Sequence, residues 1–133
     1  MEIEIFFEGN KKINAKVNGF IVKTDQPVIA GGDGEAPSPF ELFLASLGTC
    51  AGIFVKSFCD QRNIPSEKIK IMEHIERDPL SHSVSKIALE IMLPVDFPEK
   101  YRNAVISAAD LCSVKKAIQN PPEFEVFTSA INE

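Results

Sequence analysis

Ser38-Pro39-Phe40-Glu41-Leu42-Phe43-Leu44-Ala45-Ser46-Leu47-Gly48-Thr49-Cys50 is the stretch from which the fold is read. Ser38 can accept a hydrogen bond as an N-cap, Pro39 suits the first helical position, and Glu41 three residues on completes a capping box. The helix that starts here continues without a charge to Val55 and is stopped near Asp60–Arg62 by Asn63-Ile64-Pro65. Between Leu42 and Val55 it is apolar on every face, so it needs protein on nearly all sides. One sheet from a chain of 133 residues could scarcely wrap it, which makes a partner subunit the simplest cover. The uncharged run is shorter than the roughly 18 residues that cross a bilayer. It therefore reads as a buried core helix, and no membrane partner is expected.

Outward from this helix the pattern changes to strands. Ile3, Ile5 and Phe7 alternate with Glu2, Glu4 and Glu8, the period of a half-buried strand. Ile13, Ala15 and Val17 repeat it after a turn at Gly9-Asn10. Asn18-Gly19 then signals a hairpin, since both residues accept positive φ, and Phe20–Lys23 returns. Val28–Pro37 is a loop with Gly31-Gly32-Asp33-Gly34 as its mobile centre, a plain loop or a lid. It lacks the Lys-Ser/Thr ending and the glycine spacing of a phosphate cradle and carries Asp33 and Glu35. Past the helix, Ile69, Ile71 and Ile75 alternate with lysines and Glu76, and Ile87, Leu89, Ile91 and Leu93 alternate with Lys86 and Glu90. The loop Asp78–Ser83 joins them as a hairpin. Asp96-Phe97-Pro98-Glu99 starts a second helix, Ser113 caps a short third one at Val114–Gln119, and Phe124, Val126 and Phe127 lie in a last strand. The order is β-β-β-α-β-β-α-α-β in a single domain, residues 1–133. It is an α+β fold, because the strands come as hairpins rather than as crossovers.

Hydrophobic residues are 44% and charged residues 25%, an ordinary globular composition that excludes disorder and collagen-like repeats. The net charge of −5, with no basic cluster, excludes a phosphate-backbone partner, so no nucleic acid is expected. Three cysteines without a Cys-x-x-Cys, and two histidines, supply neither a disulfide framework nor a four-ligand zinc site. The N-terminus has no basic stretch followed by an apolar one, so the expected compartment is the reducing cytoplasm.

In such a compartment an unpaired cysteine is either a small core hydrophobe or a reactive thiol. Cys50 lies on the helix face of Leu47, Phe54 and Phe43, where both readings are open. Cys112 ends the second helix beside the positive end of the third, which favours a thiolate, and Lys115 and Lys116 add to that field. Cys59, at about 100° per residue, falls on the face opposite Cys50 and reads as structural.

The run from Ser38 to Cys50 resembles the first motif of the OsmC/Ohr superfamily, the osmotically inducible and organic hydroperoxide resistance proteins. Asp110-Leu111-Cys112-Ser113-Val114-Lys115-Lys116-Ala117 resembles its second motif, and the order of elements fits as well. The resemblance implies an intertwined homodimer, with antiparallel sheets wrapped around central helices and active sites at the subunit interface. It also implies a thiol peroxidase for small apolar hydroperoxides. Cys50 would be the peroxidatic thiolate, Cys112 the resolving thiol and an external dithiol the reductant, with no bound cofactor.

Active members of the superfamily pair the peroxidatic thiolate with an arginine from the N-terminal strands, oriented by a glutamate of the first motif. The arginines here are Arg62, Arg77 and Arg102, none of them N-terminal, and the glutamate position holds Phe40. Glu41, one residue later, is the candidate for that role, although the capping box also claims it. Without an arginine, burial should raise the Cys50 pKa. A peroxidase would then need Arg62, Arg77, Arg102, Lys115, Lys116 or the helix-start amides of Ser113 and Val114 to lower it. The alternative on the same fold is a binding protein for a small ligand, with redox-sensitive cysteines, and a third reading is a structural dimeric domain.

Overall fold

In the computed structural model, which describes residues 1–132, the N-terminal segments form an antiparallel meander of β1 (Glu4–Gly9), β2 (Lys12–Val17) and β3 (Phe20–Val22). Ile5 lies opposite Ala15 and Phe7 opposite Ile13. The second turn has Asn18 at φ 48° and Gly19 at φ 81°, the left-handed pair that the Asn-Gly signal anticipates.

The loop that follows differs from its expected mobility, because it is tied at several points. Buried Asp25 accepts backbone N–H bonds from Gln26 at 2.7 Å, Glu35 at 3.1 Å and Asp33 at 3.4 Å. Burial pushes its carboxyl up, but those three donors, together with nearby Lys12, outweigh that and hold it below the ordinary carboxylate range. Asn10 Nδ2 donates to Gly31 O and to Asp33 Oδ1, each at 3.1 Å, and Lys12 Nζ reaches Asp33 at 2.9 Å and Glu35 at 3.0 Å. Gly32 is needed for a steric reason: a Cβ there would stand 2.0 Å from the Gln26 carbonyl oxygen.

Helix α1 (Pro39–Gln61) starts at the expected capping box. The Ser38 N–H donates to Glu41 Oε2 at 2.8 Å and the Glu41 N–H to Ser38 Oγ at 3.3 Å. Contacts divide the chain into two compact units, Met1–Ser46 and the residues from Leu47 onward. The second unit holds the rest of α1, the hairpin of β4 (Lys70–Arg77) and β5 (Val84–Met92), and helix α2 (Arg102–Ala109), which follows a 3-10 turn at Glu99–Tyr101. Its core joins Ala51, Val55, Phe58 and Cys59 of α1 to Phe97 and to Val105 and Ala109 of α2, with Ile71, Leu89 and Ile91 of the hairpin packed against them. Side chains of β4 reach the helix at two glycines. A Cβ on Gly52 would touch Ile71 Cδ1 at 3.8 Å, and one on Gly48 would stand 2.2 Å from Glu73 Oε1. At the C-terminal end of α1 the Arg62 guanidinium lies 3.7 Å from the Phe58 ring centroid and donates to the Phe58 carbonyl at 3.0 Å.

Two expectations need correction. Residues 121–132 form no strand, and Phe124 and Val126 are 84% and 98% exposed. Alternation gives a strand only where another strand supplies hydrogen-bond partners, and among the described residues none pairs with this segment. The observed order is therefore β-β-β-α-β-β-α-α, still α+β. Within the single chain α1 buries Leu47, Ala51, Val55, Phe58 and Cys59 on one side, while Ile53 is 65% exposed, since one hairpin and one short helix cover a single face. Second, the uncharged run understates the helix. By length and a mean hydropathy of 1.7, α1 would suit a membrane span, although its Leu47–Cys59 face is packed into a protein core.

The two tight glycines should respond in opposite ways. Gly32→Ala must displace backbone and should cost about 1–3 kcal/mol. Gly48→Ala meets only the movable end of Glu73 and gains up to about 1 kcal/mol of helix propensity, so it should be neutral or stabilising. Urea unfolding of both variants checks this, and equal losses would contradict it.

Candidate functional site

Helix α3 (Ser113–Gln119) is the element around which the cysteines gather. Its N-cap is Cys112 rather than the expected Ser113. The Cys112 backbone, at φ −47° and ψ 119°, lies outside the helical region, and its Sγ accepts the Lys115 N–H at 3.4 Å. The buried Cys112 thiol donates in turn to the Leu47 carbonyl of α1 at 3.8 Å. Two adjacent residues could both cap, and the one whose backbone departs from helical geometry takes the position. Ser113 is thereby left one place inside the helix, with its hydroxyl free of the cap.

That hydroxyl meets Cys50. Ser113 Oγ stands 3.4 Å from the Sγ of Cys50, which is half-buried on α1. The pKa of Cys50 is lowered to about 7, first by the Ser113 hydroxyl, then by the Val114 backbone N–H against the opposing effect of burial, and further by the Cys112 thiol and the Ser113 N–H. This overturns the expected rise. The four groups that lower it carry no formal charge, and no side-chain cation is among them. Cys50 therefore meets α3 at the residue directly after Cys112, and the Cys112 thiol is among the groups that act on it.

The remaining candidates have other duties. Glu41 caps the start of α1. Arg62 lies over Phe58, Arg77 Nη1 donates to the His82 carbonyl at 3.0 Å, and Arg102 pairs with Glu99. Lys115 Nζ pairs with Asp110. Cys59 is buried in the core, and burial pushes its thiol up, in keeping with the structural reading. Among the described residues no cluster of three or more His, Cys, Asp or Glu side chains could hold a metal.

A cavity of about 730 Å³ lies beside this cluster, between β5, α2 and α3. Leu47, Leu89, Ile91, Val105 and Ile106 form its apolar wall, and Cys112 lines it. Sequence reading missed the Ser113 hydroxyl as a partner of Cys50. The signal available was a second cap-competent residue directly after Cys112.

A family model described as OsmC-like protein matches residues 32–127. No curated protein matches the sequence. Among solved structures, a protein described as a putative osmotic stress induced and detoxification response protein from Psychrobacter arcticus has a TM-score of 0.74 at 21% identity, covering 86% of this chain and 85% of that one. An OsmC like protein from Mycoplasma pneumoniae has a TM-score of 0.70 at 14% identity, covering 90% and 87%. The organic hydroperoxide resistance protein OhrB of Bacillus subtilis has a TM-score of 0.55 at 18% identity, covering 91% and 93%. At these identities the likeness is one of fold.

Alkylation with iodoacetamide, followed peptide by peptide in the mass spectrometer, should show Cys50 half-maximally reactive near pH 7. Cys59 should stay unmodified while the protein is folded. A Cys50 midpoint at the free-thiol value of about 8.5 would contradict the donor geometry.

Proposed function

The chain belongs to the OsmC family, and on that premise we propose that it reduces organic hydroperoxides, with Cys50 as the peroxidatic and Cys112 as the resolving cysteine. A stress-related redox role is supported by the family and by the solved neighbours named for detoxification response and for organic hydroperoxide resistance. The observation that carries the finer reading is Cys50 Sγ set 3.4 Å from the hydroxyl of Ser113, next in the chain to Cys112, with donors there that lower the Cys50 pKa to about 7. The Cys50 thiolate attacks the terminal oxygen of the hydroperoxide, the O–O bond breaks, and the departing alkoxide takes a proton to leave as the alcohol. Cys50 is left as a sulfenic acid. The Cys112 thiol condenses with it, a disulfide forms and water leaves. An external dithiol then reduces the disulfide and is itself oxidised to one. This chemistry suits a reducing compartment, the cytoplasm.

A second reading rests on the cavity. Its apolar wall and about 730 Å³ suit a small apolar ligand, so a binding protein with a redox-sensitive thiol pair is the alternative. Rapid mixing of the reduced protein with cumene hydroperoxide separates the two. The peroxidase reading expects turnover with a dithiol and a Cys50–Cys112 disulfide. Cys50→Ser should lower turnover at least a hundredfold, and Cys112→Ser should let the sulfenic acid accumulate for trapping by dimedone. Stoichiometric binding without oxidation of Cys50 would favour the second reading.

The working unit is proposed to be a homodimer. Exposed Ile53 on α1, Phe7 and Phe20 of the meander, and Phe124 and Val126 beyond α3 are apolar surface that association would cover. Light scattering on a sizing column should give twice the chain mass at micromolar concentration, and a stable monomer would sink the dimer.

A further inference from the structure

We propose that Ser113 is the positioning residue of the reactive thiol: its hydroxyl donates a hydrogen bond to the Cys50 thiolate and holds the sulfur in its ionised form. This rests on the reading of Cys50 as the reactive cysteine and goes beyond it by assigning the part that the absent N-terminal arginine leaves open.

The geometry supports it from three sides. Ser113 Oγ lies 3.4 Å from Cys50 Sγ, within hydrogen-bond reach of a sulfur, and among the described residues this is the contact its hydroxyl makes. A serine at the start of a helix ordinarily spends its hydroxyl on the orphan amides of the first turn. Here the Cys112 sulfur accepts the Lys115 N–H instead, so the hydroxyl is released to serve Cys50. The contact also depends on charge. Against a neutral thiol either group can donate, whereas against a thiolate only the hydroxyl has a hydrogen to give. The bond is therefore stronger to the ionised form, and a donor of that kind lowers a pKa. Removing it should matter more than removing any single amide, because the hydroxyl is the foremost of the groups that lower Cys50.

A threonine keeps the hydroxyl and an alanine does not, which gives the test its control. The midpoint of Cys50 alkylation is measured against pH in the full-length reduced protein, with Cys59 and Cys112 read as separate peptides. Ser113→Ala should raise the midpoint by about one unit, towards the free-thiol value of about 8.5. Above pH 9, where every variant is ionised, its rate should stay within about twofold of the parent. Ser113→Thr should keep the parent midpoint. Should Ser113→Ala not fold, Ser113→Gly gives the same reading. A midpoint in Ser113→Ala or Ser113→Gly within 0.3 of the parent overturns the proposal, and so does an equal rise in Ser113→Thr, which would mean a merely structural role. Because no hydroperoxide is used, a protein without peroxidase turnover that still shows the alanine-specific rise would lose the peroxidase reading and keep this one.

Discussion

The burial of one side of α1 holds the second unit together. Ala51, Val55, Phe58 and Cys59 lose contact with water against α2 and the β4–β5 hairpin, and each fully buried side chain of Val or Phe size contributes roughly 1.5–3 kcal/mol. Gly48 and Gly52 leave room on the helix for the Glu73 and Ile71 side chains of β4. With the Ala51, Val55 and Phe58 side turned into the core, Cys50 points to the first turn of α3.

At that turn the protein meets an old difficulty by modest means. A thiolate in apolar surroundings is costly, and a guanidinium beside it is the direct remedy. This chain instead surrounds the sulfur with neutral donors, two of them backbone amides that the helix start leaves without partners. Such donors are weaker than a full charge, but they are held by the backbone and need no long side chain to be ordered. Arg62 closes the end of α1 over Phe58.

What could be read from the sequence depended on the range of the interaction. The Ser38–Glu41 capping box, the Asn18-Gly19 turn and the alternating strands are local, and each appears where its residues put it. That Cys50 meets the start of α3, beside Cys112, was legible only through the resemblance of two motifs. The last strand was misjudged because Phe124, Val126 and Phe127 carry the pattern but not the partner. The glycine loop was misjudged because Asp25 and Lys12, which fasten it, lie outside the loop as read from Val28 to Pro37. Ser113 was taken for the cap because sequence ranks serine above cysteine there, whereas backbone geometry gave the place to Cys112.

A sulfur is a weak acceptor, and α3 is a short helix that begins on one. The Lys115 amide is therefore a built-in gauge of the state of Cys112. Any chemistry that draws that sulfur out of the cap, by oxidation or by a bulky adduct, leaves the amide open to solvent and speeds its hydrogen exchange. The same event loosens the turn that presents Ser113 and Val114 to Cys50. A modification at the second cysteine is in this way felt at the first through the turn as well as through the loss of its own thiol, and the order in which the two are labelled changes what each one reports.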